Sequence, residues 1–326
     1  MAGQQRPCQQ QPIASLSEAG FRVQVRDRQV FIAGEISGFQ SRNRNIKLAL
    51  LEVVCQLRGV PDVDLIIATG DLSAADHGHA GPIFAQAKRL EHTAAVLFPD
   101  HTFVDWHEAD TVGWQHQHYI MQQSSMRTPW PKKVPKLLFR GSSKTGNRTI
   151  ASSFKATDMV DVKVWDWVRK SGQQQFVGLP KHCKNKYLLN WPGNSYSARL
   201  KYLLLCGSVV VHSDNGWFEF YYPMLKHGQH FMRTKAIDNL DDITNGLTSL
   251  VQSLRSNPTQ SRLIAEAGQR FATDVLSLQN IREYWHRLLT AYSELQTFKV
   301  NLHPDAIPIG VSLSDPQYVD KRRNGC

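Results

Sequence analysis

Four groups of residues in this chain have the types and spacing to do chemistry. The first is a polar loop, Trp191 to Ser197, rich in the turn formers Pro, Gly, Asn and Ser, between the apolar run Tyr187–Asn190 and the helix-spaced Leu200, Leu203 and Leu204. Ser195 or Ser197 is placed to cap that helix, and Arg199 falls in its first turn. A first turn normally prefers acids, so a cation there makes sense if an anion lies between it and the positive end of the helix. The second group is Arg140-Gly141-Ser142 at the end of an apolar strand pattern, with Arg148 shortly after. Glycine lets a ligand approach the backbone, serine adds a hydroxyl, and forked guanidinium donors suit phosphate oxygens. The third is Asp71, just past the buried-type strand Val63–Ala68, at the strand end where open parallel sheets bind ligands and where a carboxylate can accept a proton from a hydroxyl. The fourth is Glu219, beyond Val209–Val211, an acid placed to accept hydrogen bonds from ribose hydroxyls.

The elements that must position these groups follow from periodicity. Residues 1–20 read as a disordered tail. Phe21–Ile32 alternates as a strand pair, Asn45–Leu57 is helical, Val63–Ala68 is a strand, Ile83–Arg89 reads as a short helix, and Ala94–Phe98 is a strand. Val112–Thr128 begins as a helix, and Trp130–Pro135 reads as a linker. Strands at Leu137–Arg140, Val160–Trp165, Tyr187–Asn190, Ser208–Val211 and Phe231–Arg233 then alternate with helices near Thr149–Lys155 and Ser197–Leu205. Helices follow at Leu240–Ser256, Gln260–Val275 and Gln279–Leu295. Such alternation implies parallel sheets with helices on both faces, and a chain of 326 residues implies about two domains.

The net charge of +10 points to anionic partners, with nucleic acid as the general first guess. No helix-turn-helix, zinc-finger or aromatic ribonucleoprotein signature accompanies it. The cations gather instead beside the strand-to-helix loops, at Lys132 to Arg148 and Lys181 to Lys201, which suits a nucleoside diphosphate better than a duplex. Five cysteines make no disulfide scaffold and have no zinc spacing. No signal peptide, membrane-spanning run or retention tag is visible.

Several blocks resemble glycosyltransferase family 90, which contains capsule-associated glycosyltransferases and protein O-glucosyltransferases. They are His182-Cys183-Lys184 leading to Tyr187-Leu188 and Asn190, then Gly193 with Ser197, Arg199 and Lys201, then Leu205-Cys206-Gly207-Ser208, and Trp217 with Glu219-Phe220, Tyr222-Pro223 and Leu225. Leu138 to Ser142 with Arg148, Val60 to Asp64 with Asp71, and Tyr284-Trp285 with Leu288, Leu289 and Tyr292 complete the family order between about Phe21 and Phe298.

The resemblance implies two Rossmann-like domains facing a cleft, the GT-B arrangement. They are expected as an acceptor-side domain over 21–129, a nucleotide-sugar domain over 130–278, a helix over 279–298 crossing back to the first domain, and a tail over 299–326. It implies an inverting transfer of glucose or xylose from a UDP-sugar to a hydroxyl on a protein or glycan, with Asp71 as the base. No metal or other cofactor is required in that reading. The donor contacts it implies are Arg140, Gly141, Ser142, Arg148, Asn194, Ser195, Tyr196, Ser197, Ala198, Arg199 and Glu219, with Asp105 and Trp106 bordering the acceptor. The family works in the secretory pathway and often pairs a cysteine couple at the places of Cys183 and Cys206. A bridge and two buried thiols are both open here. Gly70 and Leu72-Ser73 depart from the family pattern around Asp71, which keeps open a degenerate member that only binds nucleotide or glycan.

Overall fold

In the computed structural model, residues 20–36, 40–72, 82–166 and 176–309 are described. The chain divides into two units, one formed by residues up to Asp105 together with those from Gln279 onward, the other by Trp106–Leu278. The division falls earlier than the sequence implies, so Trp106 and residues 107–129 belong to the second unit. The expected tail over 1–20 lies almost wholly outside the described residues.

The first unit opens with a hairpin of β1 (Gly20–Arg26) and β2 (Gln29–Ile36). Its two-residue turn has Asp27 and Arg28 both at positive φ, 49° and 61°, the geometry whose twist matches flanking strands. Helix α1 (Gln40–Gln56) follows, burying Ile46, Leu50, Val53 and Val54 at helical spacing. Strands β3 (Val63–Ala68), β4 (Ile83–Ala85) and β5 (Ala95–Leu97) run parallel to one another, while β1 lies antiparallel between β2 and β3. The expected helix at Ile83–Arg89 is therefore wrong. Three consecutive buried apolar residues, Ile83, Phe84 and Ala85, fill a short central strand, and a run this brief carries no helical period of its own.

The second unit begins with α2 (Trp114–Arg127) and is organised on a wholly parallel sheet. Its strands are β6 (Val134–Ser142), β7 (Val160–Trp165), β8 (Asn185–Asn190), β9 (Val209–Ser213) and β10 (Met232–Thr234), in the order β10-β9-β8-β6-β7. Two short helices, α3 (Leu179–His182) and α4 (Leu200–Leu204), flank β8. Leu137, Phe139, Tyr187, Leu189, Val209 and Val211 point to one face, where they pack with Ile243, Leu247, Val251, Ile264 and Ala265. Leu138, Leu188 and Val210 are buried on the other, as a sheet covered on both sides requires. Ile243 and Leu247 lie in a π-helical turn, Asp242–Leu247, that leads into α5 (Thr248–Ser256). Helix α6 (Pro258–Arg270) starts with proline at its first position and with Asn257 capping Gln260 N, then runs into a second π turn, Phe271–Val275.

The last long helix, α7 (Leu278–Leu295), packs within the first unit. Trp285 lies 5.1 Å from Phe98 between ring centroids, and the Tyr284 and Tyr292 hydroxyls donate to the Leu97 and Asp64 carbonyls at 2.9 Å. Beyond it, β11 (Ile307–Pro308) pairs antiparallel with β2, closing a sheet of order β11-β2-β1-β3-β4-β5. Two expectations are corrected here: the stretch after residue 298 is not wholly a tail, and the first sheet is mixed rather than parallel. The fold class is mixed α/β with two sheets.

Candidate functional site

Strand order locates the site of the second unit. The chain passes from β6 to β7 on one side, then crosses to β8 on the other, so the order reverses between β6 and β8. Ligands of open parallel sheets bind outside the carboxyl ends of the strands at such a reversal. The two segments leaving those ends are 142–148 and 191–199, the loops singled out by sequence. They press together through glycine. A Cβ on Gly146, at φ +59°, would lie 2.6 Å from the Gly193 carbonyl oxygen, and one on Gly193 would lie 2.5 Å from the Thr145 methyl. Gly146 N donates to Asn194 Oδ1 at 3.0 Å, and Trp191 Nε1 donates to Asn147 Oδ1 at 3.1 Å.

Arg148 and Arg199 converge on this junction. Arg148 Nε and Nη2 donate to the Pro192 and Trp191 carbonyls at 3.1 and 2.6 Å. Arg199 donates to the carbonyls of Arg140 at 2.5 Å and Trp191 at 3.3 Å, and to Ser197 Oγ at 3.4 Å. Both guanidiniums also lie over the Phe139 ring, at 5.4 and 4.7 Å from its centroid. Gly141 keeps that packing possible, since a Cβ there would come within 2.8 Å of the ring. Both arginines are buried, and among the described residues neither meets a carboxylate. Burial, and then the charge of Arg199, holds the Arg148 pKa well below its usual value, while burial pushes that of Arg199 down to about 10.

The structure corrects three further expectations. Arg140 is an ion-paired residue: its Nη1 and Nη2 donate to the Asp161 carboxylate at 3.1 and 2.7 Å, and it contributes its backbone carbonyl to Arg199. Glu219 is fully buried 3.6 Å from the Lys201 ammonium and accepts from the Tyr221 hydroxyl at 3.2 Å, so it presents no surface to a ribose. The helix expected over Ser197–Leu205 is only α4, five residues long with Arg199 at its cap, so the positive charge of this loop is that of the two side chains rather than of a helix dipole. Of the remaining loop residues, Ser142 Oγ accepts from Lys144 N at 3.1 Å. The Ser195 carbonyl accepts from Asn215 Nδ2 at 2.6 Å, the Tyr196 carbonyl from Gly193 N at 3.0 Å, and that of Ala198 from Lys201 Nζ at 3.1 Å. Cys183 and Cys206 form a disulfide that closes the segment carrying β8, this loop and α4.

In the first unit, Asp71 lies just beyond the carboxyl end of β3, partly exposed. Arg42, in the first turn of α1, spans the strand end, donating Nη1 to Asp71 Oδ1 at 2.7 Å and to the Thr69 carbonyl at 3.1 Å. The Thr69 carbonyl also accepts from Gln86 Nε2 at 3.1 Å, and Gln86 Oε1 accepts from His101 N at 2.9 Å. Asp62 accepts from Asp27 N in the hairpin turn, and Asp64 pairs with Arg22, so the other two acids of this strand are structural. Asp105 ends the first unit with its carbonyl accepting from Asn45 Nδ2 at 2.8 Å. Trp106 begins the second unit, its ring 6.0 Å from that of Tyr202. Sequence reading missed Arg42 and the Phe139 platform. Arg42 was missed because the sequence reading starts this helix at Asn45, whereas it begins at Gln40 and has Arg42 in its first turn.

The model of the family described as glycosyl transferase family 90 matches residues 8–323. The chain belongs to this family. It is accordingly a glycosyltransferase. It is 32% identical over 284 residues to protein O-glucosyltransferase 1 of Bos taurus, covering 80% of this chain and 69% of that protein. It is 30% identical over 321 residues to O-glucosyltransferase rumi of Drosophila pseudoobscura pseudoobscura, covering 92% and 76%. Among solved structures, Anabaena Alr3699/HepE in complex with UDP-glucose aligns over 78% of this chain and 83% of that one, with a TM-score of 0.40 and 12% identity. No helix among the described residues is long and apolar enough to cross a membrane.

Proposed function

We propose that this family 90 member is an inverting glycosyltransferase that moves glucose or xylose from a UDP-sugar to a hydroxyl of a protein or glycan. The observation that carries the donor reading is the pair Arg148 and Arg199, two buried guanidiniums held side by side by carbonyls and one aromatic ring, with no carboxylate between them among the described residues. Buried like charges without a counter-ion cost stability, and a diphosphate arriving between them removes that cost. Relatives named protein O-glucosyltransferase favour glucose and a protein acceptor.

In this reading the acceptor oxygen attacks the anomeric carbon from the face opposite the diphosphate, and its proton passes to Asp71. The bond to the β-phosphate oxygen breaks, and Arg148 and Arg199 take up the charge on departing UDP without a bound metal. The GT-B arrangement belongs to the same proposal, as does a place in the lumen of the secretory pathway, an oxidising compartment that suits the Cys183–Cys206 bridge.

The test is product analysis after incubation with UDP-glucose and UDP-xylose, with peptide or glycan acceptors, with and without chelator. Transfer with inverted anomeric configuration in chelator supports the reading, and strict dependence on a divalent ion overturns the metal-free part. The alternative, a binding-only member, draws on Gly70 and Leu72, where the family surroundings of Asp71 are altered. UDP binding without donor hydrolysis or transfer would favour it.

A further inference from the structure

Two residues singled out by motif, Lys201 and Glu219, lie beneath the 191–199 loop with no exposed side-chain surface, and they tie that loop to the rest of the unit. Both are completely buried, with Lys201 Nζ 3.6 Å from Glu219 Oε2. Lys201 Nζ also donates to the Ala198 carbonyl at 3.1 Å, one residue before Arg199, and sits 5.4 Å from the Tyr202 ring centroid. Glu219 belongs to the segment after β9, where it accepts from the Tyr221 hydroxyl. From that same segment Asn215 Nδ2 reaches back to the Ser195 carbonyl at 2.6 Å. The 191–199 loop is thus held at two carbonyls, Ser195 directly by Asn215 of the segment 215–221, and Ala198 by Lys201, which Glu219 of that segment faces.

A fully buried ion pair is poor stabilisation, because desolvation takes back most of the attraction and apolar side chains of similar volume often do as well or better. What such a pair does supply is position, since separating two buried charges of opposite sign costs their mutual attraction. We infer that Lys201 and Glu219 form a positioning latch: the pair fixes the Ala198 carbonyl, and with it the register of Arg199 over Phe139, so that nucleotide-sugar affinity depends on two residues that do not touch the ligand. Glu219 then acts on the donor through Lys201 and the loop. The inference rests on the donor reading given above.

The experiment measures UDP affinity by calorimetry and thermal midpoints for the full chain and its variants Arg199→Ala, Glu219→Gln, the double Lys201→Met/Glu219→Gln, and Asn215→Ala. Glu219→Gln removes the carboxylate charge facing the buried ammonium, so it is expected to lower the midpoint and to weaken UDP at least tenfold at a temperature where it is still folded. The double variant removes both charges. Its midpoint is expected to return towards the parent's while UDP stays at least fivefold weaker, because the Ala198 tether is gone. In turnover, the KM for the UDP-sugar should rise while that for the acceptor is unchanged, a split that a loss of folded protein would not produce. Asn215→Ala leaves the Lys201–Glu219 pair intact and removes only the Ser195 tether, and it should weaken UDP at least threefold. Recovery of affinity together with the midpoint in the double variant overturns the latch, as does unchanged affinity in Glu219→Gln or in Asn215→Ala. A parent that binds no UDP overturns the donor reading and the latch with it. A parent weakened by Arg199→Ala but not by Glu219→Gln overturns the latch alone.

Discussion

At the carboxyl end of β3 in the first unit, charge is answered by charge: Arg42 meets Asp71 at 2.7 Å, and Lys47 meets Glu35 at 2.6 Å. At the carboxyl ends of β6 and β8 in the second, Arg140 is answered by Asp161, but among the described residues Arg148 and Arg199 meet carbonyls, a hydroxyl and a ring and no carboxylate. The difference separates two uses of the same side chain. An arginine with its own carboxylate is already neutralised and serves the fold, whereas a buried pair without one keeps its field for something that arrives. In the proposed reading the first region supplies the Asp71 carboxylate to a hydroxyl once Arg42 yields it, and the second supplies cations to an anion.

The substitution expected to do most damage is Asp71→Asn, which keeps size and some hydrogen bonding but cannot accept a proton. Loss of a general base typically costs about 10²–10⁴-fold in rate. UDP affinity, set in the other unit, should stay as it was. Turnover within a few-fold of the parent would break the assignment and point to Asp105, or to Asp100, which is buried against Thr102.

Acid should act on the second unit through two buried histidines. Burial, with Arg199 and Arg140 adding to it, pushes the His182 pKa down to about 4, and burial does the same for His212. An unfolded chain titrates near 6.5, so between those values the unfolded state binds more protons and stability rises with pH. Each histidine's contribution is complete above about pH 6.5 and is lost as pH falls through 4, about 3 kcal/mol apiece. Urea unfolding at pH 7 and pH 4.5 reads the loss, and His212→Gln should flatten the profile. An unchanged slope in that variant would mean that His212 accepts its proton without unfolding.

Next come the arginines, where the comparison is sharpest. Arg148→Ala and Arg199→Ala should each weaken UDP by about 1.5–3 kcal/mol, the range for hydrogen bonds to charged groups. Arg140→Ala should do the opposite: UDP affinity nearly retained, stability lowered because the Asp161 carboxylate is left without its partner. If calorimetry finds all three alike, the distinction between answered and unanswered arginines fails.

Much of this was legible in the sequence, and the reasons differ by region. Strands such as Val63–Ala68 and Val160–Trp165 announce themselves because a continuous or alternating apolar run has one easy reading. β4 did not, since three residues fix no period and its strand character comes from its neighbours β3 and β5. The motifs brought Arg140, Arg148 and Arg199 forward together but could not rank them. Only the position of Asp161 on the adjacent strand, brought near by the parallel register of β6 and β7, shows that Arg140 has a carboxylate of its own. Glu219 misled for a related reason: its ion-pair partner Lys201 lies across a strand and two loops, a contact that no local pattern encodes.

The smallest expected effect tests whether an unanswered cation is enough to mark a site. Lys133 is a third buried cation of the second unit held by carbonyls: its ammonium donates to Cys183 O, and to Cys206 O at 2.9 Å. It precedes β6, at the amino end of the strands whose carboxyl ends carry the arginines, so by topology it is structural. Burial pushes its pKa down to about 8, against about 10.4 in an unfolded chain. Between those values the unfolded state holds the proton that the folded state gives up, so stability should climb with pH, by about 1 kcal/mol from pH 7 to pH 9. Lys133→Met should remove that climb, as seen in chemical unfolding at the two pH values. Saturating UDP should raise stability at both pH values and leave the Lys133 slope as it was, because the ligand answers Arg148 and Arg199 only. A slope that UDP abolishes would place Lys133 in electrostatic contact with the ligand, and position at the strand ends would no longer distinguish a site from a staple.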